Sequence, residues 1–72
     1  MLTKLRDARK KAGLAQKDIA QKLGISKQLY SKIERQEVKI YYDRAIRIAE
    51  ILNVAADEIF LPYITNNIRE RG

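Results

Sequence analysis

The chain has 72 residues, which is room for one small domain with one core, and its 15 Lys or Arg and nine Asp or Glu give a net charge of +6. It has no cysteine and no histidine, so disulfides and thiolate metal sites are excluded, and the usual general base is missing. There is no run of about 18 apolar residues and no signal-peptide pattern after Met1, so we expect a cytoplasmic protein without a membrane segment.

The positive charge is confined to the first half of the chain. Residues 1–33 carry nine basic and two acidic side chains, a net charge of +7, whereas residues 34–72 carry six basic and seven acidic ones, a net charge of −1. This asymmetry is typical of a surface that binds a polyanion, with the second half left for packing or for partner contacts. Charge alone leaves a second interpretation open, namely a lysine-rich surface that is only solvated.

The spacing of apolar residues is helical along the chain, and the alternation that is typical of strands is absent. In the first helix, Leu2, Leu5 and Ala8 follow one another at steps of three. Gly13 is a typical helix stop, and Ser26 is a good N-cap for the third helix. We therefore predict an all-α protein with helices at about 2–11, 16–23, 27–35, 42–52 and 56–60.

The stretch "LGISKQ", residues 23–28, joins the second and third predicted helices. Two short helices joined by a tight, glycine-containing turn form a helix-turn-helix. Gly24 tolerates the positive φ that such a turn needs, Ala20 permits close approach of the helices, and Ile25 fills the corner. If Tyr30 faces inward, the third helix turns outward a polar face that contains no acid. This face consists of Lys27, Gln28, Ser31 and Lys32.

Three parts of the sequence together resemble a known family. They are Arg9, "AGLAQKDIAQKLGISKQLYSKIE" at 12–34 and "RIAEILNVAADEIF" at 47–60. In this order they are similar to the lambda-repressor-like, Cro/C1 (XRE) helix-turn-helix family of bacterial and phage transcription regulators. The resemblance covers roughly residues 2–60. It implies a compact five-helix DNA-binding domain whose third helix enters the major groove of DNA.

The resemblance also implies which residues contact phosphates. Gln16 opens the second helix, where the family's glutamine binds a phosphate and braces the recognition helix. Ser26 caps the third helix and can donate to a phosphate, while Arg35 and Lys39 fall in the loop that grips the DNA backbone. Lys17 is a further candidate, because a lysine here adds salt-dependent affinity without choosing a sequence.

The same resemblance assigns base reading to the outward face of the third helix, with Lys27, Gln28 and Lys32 at the reading positions and Ser31 beside them. Lysine can donate to guanine O6 and N7, and the amide of Gln28 matches adenine N6 and N7. For the two lysines, phosphate contact remains an alternative, and for Gln28 a solvated position does. Tyr30 is interpreted as a core residue whose hydroxyl reaches the surface, with a phosphate contact as its alternative.

A buried ion pair and three departures complete the comparison with the family. Arg9 and Glu34 match a partly buried ion pair that joins the first helix to the third. Ala15 cannot cap the second helix as the family's Ser or Thr does, which we expect to cost about 1 kcal/mol. Arg35-Gln36 replaces the common Asn-Gly, which leaves the geometry of that loop open, and Ala55 replaces a usual serine cap. None of these departures touches the reading face.

We divide the chain into a helix-turn-helix DNA-binding domain, residues 1–61, and a C-terminal tail, residues 62–72. A single domain makes few contacts with DNA, so we predict a homodimer on a two-fold operator with half-sites about one helical turn apart. The candidate interface residues are Phe60, Leu61, Tyr63, Ile64 and Ile68. For Phe60 and Leu61 the alternative is that they close the core of one chain.

The leading hypothesis is a sequence-specific, repressor-like regulator that binds double-stranded DNA in a bacterial cytoplasm, encoded by the bacterium or a phage. The alternative is an antitoxin or adaptor whose main partner is another protein. We do not expect an enzyme, because the sequence has no His, no Cys, no Gly-rich phosphate loop and no clustered acids. We also expect no metal, no cofactor and no small-molecule ligand.

Overall fold

A computed structural model describes residues 2–60 and 64–65 of the chain. Its residues 2–60 contain five helices. Each helix begins and ends within one residue of its predicted bounds, and the predicted all-α class is confirmed. The helices are α1 (Thr3–Lys11), α2 (Gln16–Leu23), α3 (Lys27–Glu34), α4 (Tyr42–Leu52) and α5 (Ala56–Phe60).

Two strands of two residues each add a small parallel ladder to these helices. Strand β1 (Ile40–Tyr41) precedes α4, and β2 (Ile64–Thr65) lies in the tail, with Ile40 opposite Ile64. The sequence shows no alternation of the strand type here, and a ladder of two residue pairs leaves the all-α class unchanged. So short a ladder is made by backbone groups alone, and it is too short for an alternating pattern to show in the sequence.

The turn between α2 and α3 has the geometry that its sequence predicts. Gly24 has a φ of +75°, in the left-handed region that favours glycine, and the N–H of Ile25 donates to the carbonyl of Ala20 at 3.0 Å. The hydroxyl of Ser26 then accepts from the N–H of Leu29 at 3.0 Å, which caps α3. The turn therefore fixes where α3 begins and the direction in which it leaves α2.

The start of α2 has one of the two hydrogen bonds that make up a capping box. The backbone of Ala15 is extended, as an N-cap requires, and its N–H donates to a carboxylate oxygen of Asp18 at 2.8 Å. The reciprocal bond needs a side-chain oxygen on the cap residue, which alanine does not have. The N–H of Asp18, which a capping hydroxyl would engage, donates instead to the carbonyl of Ala15 at 3.0 Å.

The loop after α3 has a defined backbone geometry, which its unusual Arg35-Gln36 sequence did not predict. Gln36 adopts a φ of +60°, the left-handed conformation that the family's glycine adopts easily. Its N–H donates to the carbonyl of Ile33 at 3.1 Å, and the N–H of Glu37 donates to the carbonyl of Lys32 at 2.9 Å. The helix end is therefore closed in the usual way, but a left-handed residue with a Cβ costs about 1–2 kcal/mol.

The core lies between α1, the α2–α3 pair, α4 and α5. Among the described residues, its largest fully buried side chains are Tyr30, Phe60, Leu5, Ile19, Ile33, Ile48 and Glu34. The turn residue Ile25 is partly buried against this cluster, and Ala20 is buried where α2 meets α3.

The burial of Phe60 bears on the candidate dimer surface. Its side chain is completely buried in the core of one chain, so it presents no surface to a second chain. Leu61, Tyr63 and Ile68 lie outside the described residues, and Ile64 is described only through its backbone pairing with Ile40. Of the five candidates, Phe60 is therefore assigned to the core.

Replacing Ala15 by serine should stabilise the protein, because a serine hydroxyl at the N-cap can accept from a backbone N–H of the first turn of α2, which is the half of the capping box that alanine cannot make. We expect a gain of about 1 kcal/mol in the free energy of unfolding, or a rise in Tm of roughly 4–8 °C for a domain of this size. Thermal denaturation followed by circular dichroism measures it. The matched control is Ala12→Ser, the same change at an exposed position at the end of α1, which should bring no gain. Equal Tm values for the two variants would contradict the interpretation.

Candidate nucleic-acid interface

The outward face of α3 is the central feature of the candidate interface. Lys27, Gln28 and Lys32 are exposed and Ser31 is half-buried, and their spacing places all four on one side of the helix. The opposite side of α3 is buried through Tyr30. The structure thus brings together the four side chains that the sequence pattern selects.

Further basic side chains flank this face. Lys17 and Lys22 on α2 and Lys39 in the loop before α4 are exposed, and Gln16 at the start of α2 is half-buried. Ser26 uses its oxygen to cap α3, but its hydroxyl hydrogen can still be donated to a phosphate. The elements before and after α3 therefore carry exposed basic side chains of the kind that bind a phosphate backbone.

The buried carboxylate of Glu34, at the end of α3, accepts four hydrogen bonds. Its Oε2 accepts from Arg9 Nε at 2.6 Å and from the Tyr30 hydroxyl at 2.8 Å. Its Oε1 accepts from Gln16 Nε2 at 3.0 Å and from Arg9 Nη2 at 3.4 Å. A carboxylate has about four lone-pair sites, so this one is fully satisfied.

Two further contacts extend this network to the backbone. Arg9 also donates from Nη1 to the carbonyl of Leu14 at 3.0 Å, and the N–H of Leu2 donates to the backbone carbonyl of Glu34 at 2.8 Å. The network therefore joins α1, the turn before α2, the first residue of α2 and the end of α3. It fixes how α3 is oriented on the other helices.

The protonation states in the network follow from burial and hydrogen bonding. Burial raises the pKa of the Glu34 carboxyl, but the hydrogen bonds from Arg9, Gln16 and Tyr30 outweigh it, and the pKa lies below its ordinary value of 4.5. The hydrogen bond to Glu34 raises the pKa of Arg9. Burial, followed by the charge of Glu34, raises the pKa of Tyr30. At neutral pH the network thus holds one carboxylate, one guanidinium and one neutral phenol.

The position of the Tyr30 hydroxyl corrects the sequence interpretation. We predicted that it reaches the surface, but the side chain is completely buried and the hydroxyl donates to Glu34. A buried hydroxyl needs a partner, and the carboxylate one helical turn further on is the nearest strong acceptor. The spacing of four residues between Tyr30 and Glu34 was the available signal.

Gln16 belongs to the network and also faces the interface. One hydrogen of its amide nitrogen is used by Glu34, and the second can be donated outward because the residue is only half-buried. The amide is thus held in one orientation by a buried group. That arrangement fits the two roles, bracing and phosphate contact, which the resemblance implies for this residue.

Arg35 is engaged by neighbours within the chain. Its guanidinium donates to both carboxylate oxygens of Glu37, at 2.9 and 3.1 Å, and from Nη1 to the hydroxyl of Ser31 at 2.8 Å. The sequence analysis did not single out Glu37, although an acid two residues after Arg35 was the signal. A cation paired in this way is a weaker phosphate ligand than the exposed Lys39.

A groove of mixed apolar and charged lining borders α3 on the side of α4, and the sequence analysis did not identify it. Val38, Tyr41 and Tyr42 line it, with exposed fractions of 36%, 48% and 46%, and within the described part of the chain they are the exposed large hydrophobic residues. The groove has a volume of about 960 Å³. Exposed apolar surface of this kind is typical of a protein contact.

Comparison with known proteins identifies the family. Residues 5–59 match the helix-turn-helix family of the Cro/C1 (XRE) type, which is most of the chain, and the chain therefore belongs to this family. The family is DNA-binding and non-enzymatic, so membership indicates DNA as the ligand. No match is found among curated proteins or among solved structures. No helix in residues 2–60 is long and apolar enough to span a bilayer.

Truncating Glu34 to alanine should strongly destabilise the protein, because it removes the counter-charge of the buried Arg9 and the acceptor of Arg9 Nε, Arg9 Nη2 and the Tyr30 hydroxyl. We expect the free energy of unfolding to fall by about 3–5 kcal/mol, measured by urea denaturation. The control is Glu37→Ala, which removes an exposed carboxylate from an exposed pair and should change stability little. An unchanged Tm in the Glu34 variant would show that the buried pair does not stabilise the fold.

Acid should weaken the fold through Glu34. Because the pKa of its carboxyl is lower in the folded protein than in the unfolded chain, its contribution is complete above the unfolded value of about 4.3 and is lost as the pH falls through the lower folded value. We therefore expect the free energy of unfolding to decrease as the pH falls below about 5.

The reference for this measurement is Glu34→Gln, which cannot ionise. Its stability should be lower than that of the natural protein at pH 7, and the difference should shrink as the pH approaches 3. A constant difference between the two proteins over this range would mean that ionisation of Glu34 does not account for the acid sensitivity. Urea titrations of both proteins at four pH values are sufficient.

Proposed function

We propose that this helix-turn-helix protein is a sequence-specific, repressor-like regulator of transcription that binds a two-fold operator as a homodimer in the cytoplasm. The observation that carries the proposal is the acid-free polar face of α3, with Lys27, Gln28 and Lys32 exposed together. The Glu34 network supports it, because base recognition needs a helix whose orientation is fixed. In this proposal α3 lies in the major groove.

The side chains on this face determine which bases they can recognise. Gln28 can both donate to and accept from adenine, through N7 and N6, whereas Lys27 and Lys32 can only donate and suit guanine O6 and N7. Each well-made pair of this kind discriminates against the wrong base by roughly 1–3 kcal/mol. Four side chains therefore account for a short half-site, and a second copy doubles its length.

Phosphate contacts would set the register of α3 in the groove. The proposed ligands are Gln16, Lys17, Ser26 and Lys39, which lie at the start of α2, at the start of α3 and in the loop after it. Arg35 is the weaker candidate, since Glu37 neutralises its charge. These contacts make the affinity depend on salt and do not select a sequence.

The homodimer is proposed because a single short reading helix makes too few contacts for tight specific binding. Its interface is proposed at Leu61, the last residue of the domain, and at Tyr63, Ile64 and Ile68 in the tail. Phe60 is left out, because its side chain is buried in the core of one chain.

A second candidate function is binding to another protein, as an antitoxin or adaptor does. The specific observation in its favour is the groove beside α4, with the exposed side chains of Tyr41 and Tyr42. This function predicts an unrelated chain that co-purifies with the protein and is lost on Tyr41→Ala/Tyr42→Ala substitution. It does not predict a preferred DNA sequence.

Selection from a random pool of duplex DNA at near-physiological salt tests the proposal, with Gln28→Ala examined in parallel. We expect the natural protein to enrich a pseudo-palindrome and the variant to lose base preference at one position in each half-site, because one bidentate contact is removed. The matched control is Gln21→Ala, which removes an exposed glutamine from α2 and should leave every preference intact.

The outcomes of this selection are distinct. Enrichment of an asymmetric half-site would support sequence-specific binding and contradict the proposed homodimer. Enrichment of the same sequence by the natural protein and the Gln28 variant would show that Gln28 is not a base reader. No enrichment above a salt-sensitive background would overturn the regulator and favour the protein-binding function.

A further inference from the structure

Arg35 connects the reading face of α3 to the loop that follows it. Its Nη1 donates to the hydroxyl of Ser31 at 2.8 Å, while Nε and Nη2 donate to the two carboxylate oxygens of Glu37 at 2.9 and 3.1 Å. A guanidinium held by two parallel bonds to one carboxylate has a fixed plane. The remaining N–H that reaches Ser31 is therefore held in one direction.

The pairing with Glu37 changes what the Arg35 charge can do. The hydrogen bond to Arg35 lowers the pKa of Glu37, and that to Glu37 raises the pKa of Arg35, so both stay ionised and together carry no net charge. A neutral pair gains little from the phosphate backbone. An exposed ion pair also contributes little to stability. Neither role explains why the guanidinium reaches back to α3.

The contact with Arg35 restricts what the hydroxyl of Ser31 can do. A serine hydroxyl has one hydrogen and two lone pairs, and a guanidinium can only donate. Since Ser31 accepts from Arg35, its own hydrogen must point elsewhere, and within residues 2–60 no group accepts it. The hydroxyl is thus presented as a donor next to Lys27 and Gln28, the neighbouring positions of the reading face.

We propose that Arg35 is a positioning residue for base recognition, which holds the Ser31 hydroxyl as a hydrogen-bond donor. The hydroxyl hydrogen is then directed at the base edge, where guanine, adenine and thymine present an acceptor, so these bases are favoured over cytosine, which presents a donor. This inference rests on the proposed function, because it assumes that α3 lies in the major groove. It gives Arg35 a role in specificity instead of the phosphate contact that the sequence suggests.

The test is the same selection from random duplex DNA, carried out with Ser31→Ala, Arg35→Ala and the double variant. We expect both single variants to lose preference at the same position of the half-site, each by about fivefold, the worth of one net hydrogen bond. The double variant should lose no more than either single one, because the two residues act as a unit. Thermal denaturation should show that all three variants remain folded, since the pair is exposed.

The control variant is Lys39→Ala, which removes an exposed cation from the same loop. Its affinity should fall uniformly over all sequences, with the salt dependence reduced by about one unit of slope and base preferences unchanged. Arg35→Lys keeps the charge but cannot hold Glu37 through two parallel bonds. It should therefore behave like Arg35→Ala in the selection.

Two outcomes would overturn the inference, and they are distinguishable. If Arg35→Ala behaves like Lys39→Ala, with a uniform loss of affinity and intact preferences, Arg35 is a phosphate ligand and the proposed function stands. If the natural protein itself enriches no sequence, the proposed function fails and the inference fails with it. Loss of preference at one position in Arg35→Ala, shared with Ser31→Ala, supports both.

Discussion

A buried negative charge must be fully hydrogen-bonded, and the position of α3 depends on how this chain meets that requirement for Glu34. Moving an ion out of water costs several kcal/mol unless partners replace its hydration. Here the partners come from α1 through Arg9, from α2 through Gln16 and from α3 itself through Tyr30. All of these hydrogen bonds form together in the observed arrangement of α1, α2 and α3, so a shift of one helix against the others would leave the buried charge without some of its partners.

The buried and the exposed charges of the protein differ in how they respond to salt and pH. Inside, one carboxylate has fixed partners and its charge does not change near neutral pH, because its pKa lies below the ordinary value. Outside, lysines such as Lys27 and Lys39 are exposed to solvent, where salt screens them. The contacts that orient α3 are therefore buried and little screened by salt, whereas the attraction of the exposed lysines to a polyanion varies with ionic strength.

Local signals in the sequence were sufficient for the helices and for the turn. Apolar spacing and the residues Gly24 and Ser26 predict the bounds of α2 and α3, because helix ends are decided by nearby backbone groups. The burial of the Tyr30 hydroxyl and its hydrogen bond to Glu34 were not predicted, since burial depends on packing between helices. The left-handed Gln36 was not predicted either, because nothing in a glutamine signals positive φ. The proposed role of Arg35 and the groove at Tyr41 depend on side-chain positions that only the structure provides.

The ladder between β1 and β2 has a consequence for the order in which the protein folds. Its paired residues Ile40 and Ile64 are 24 positions apart, and α4 and α5 lie between them. Contacts so distant in sequence are costly to form before the intervening chain is compact, because the loop that they close loses entropy. We therefore expect the ladder to form after α4 and α5 have packed against the rest of the domain. Exchange protection at the ladder amides would then report that the whole second half of the domain has reached its native arrangement.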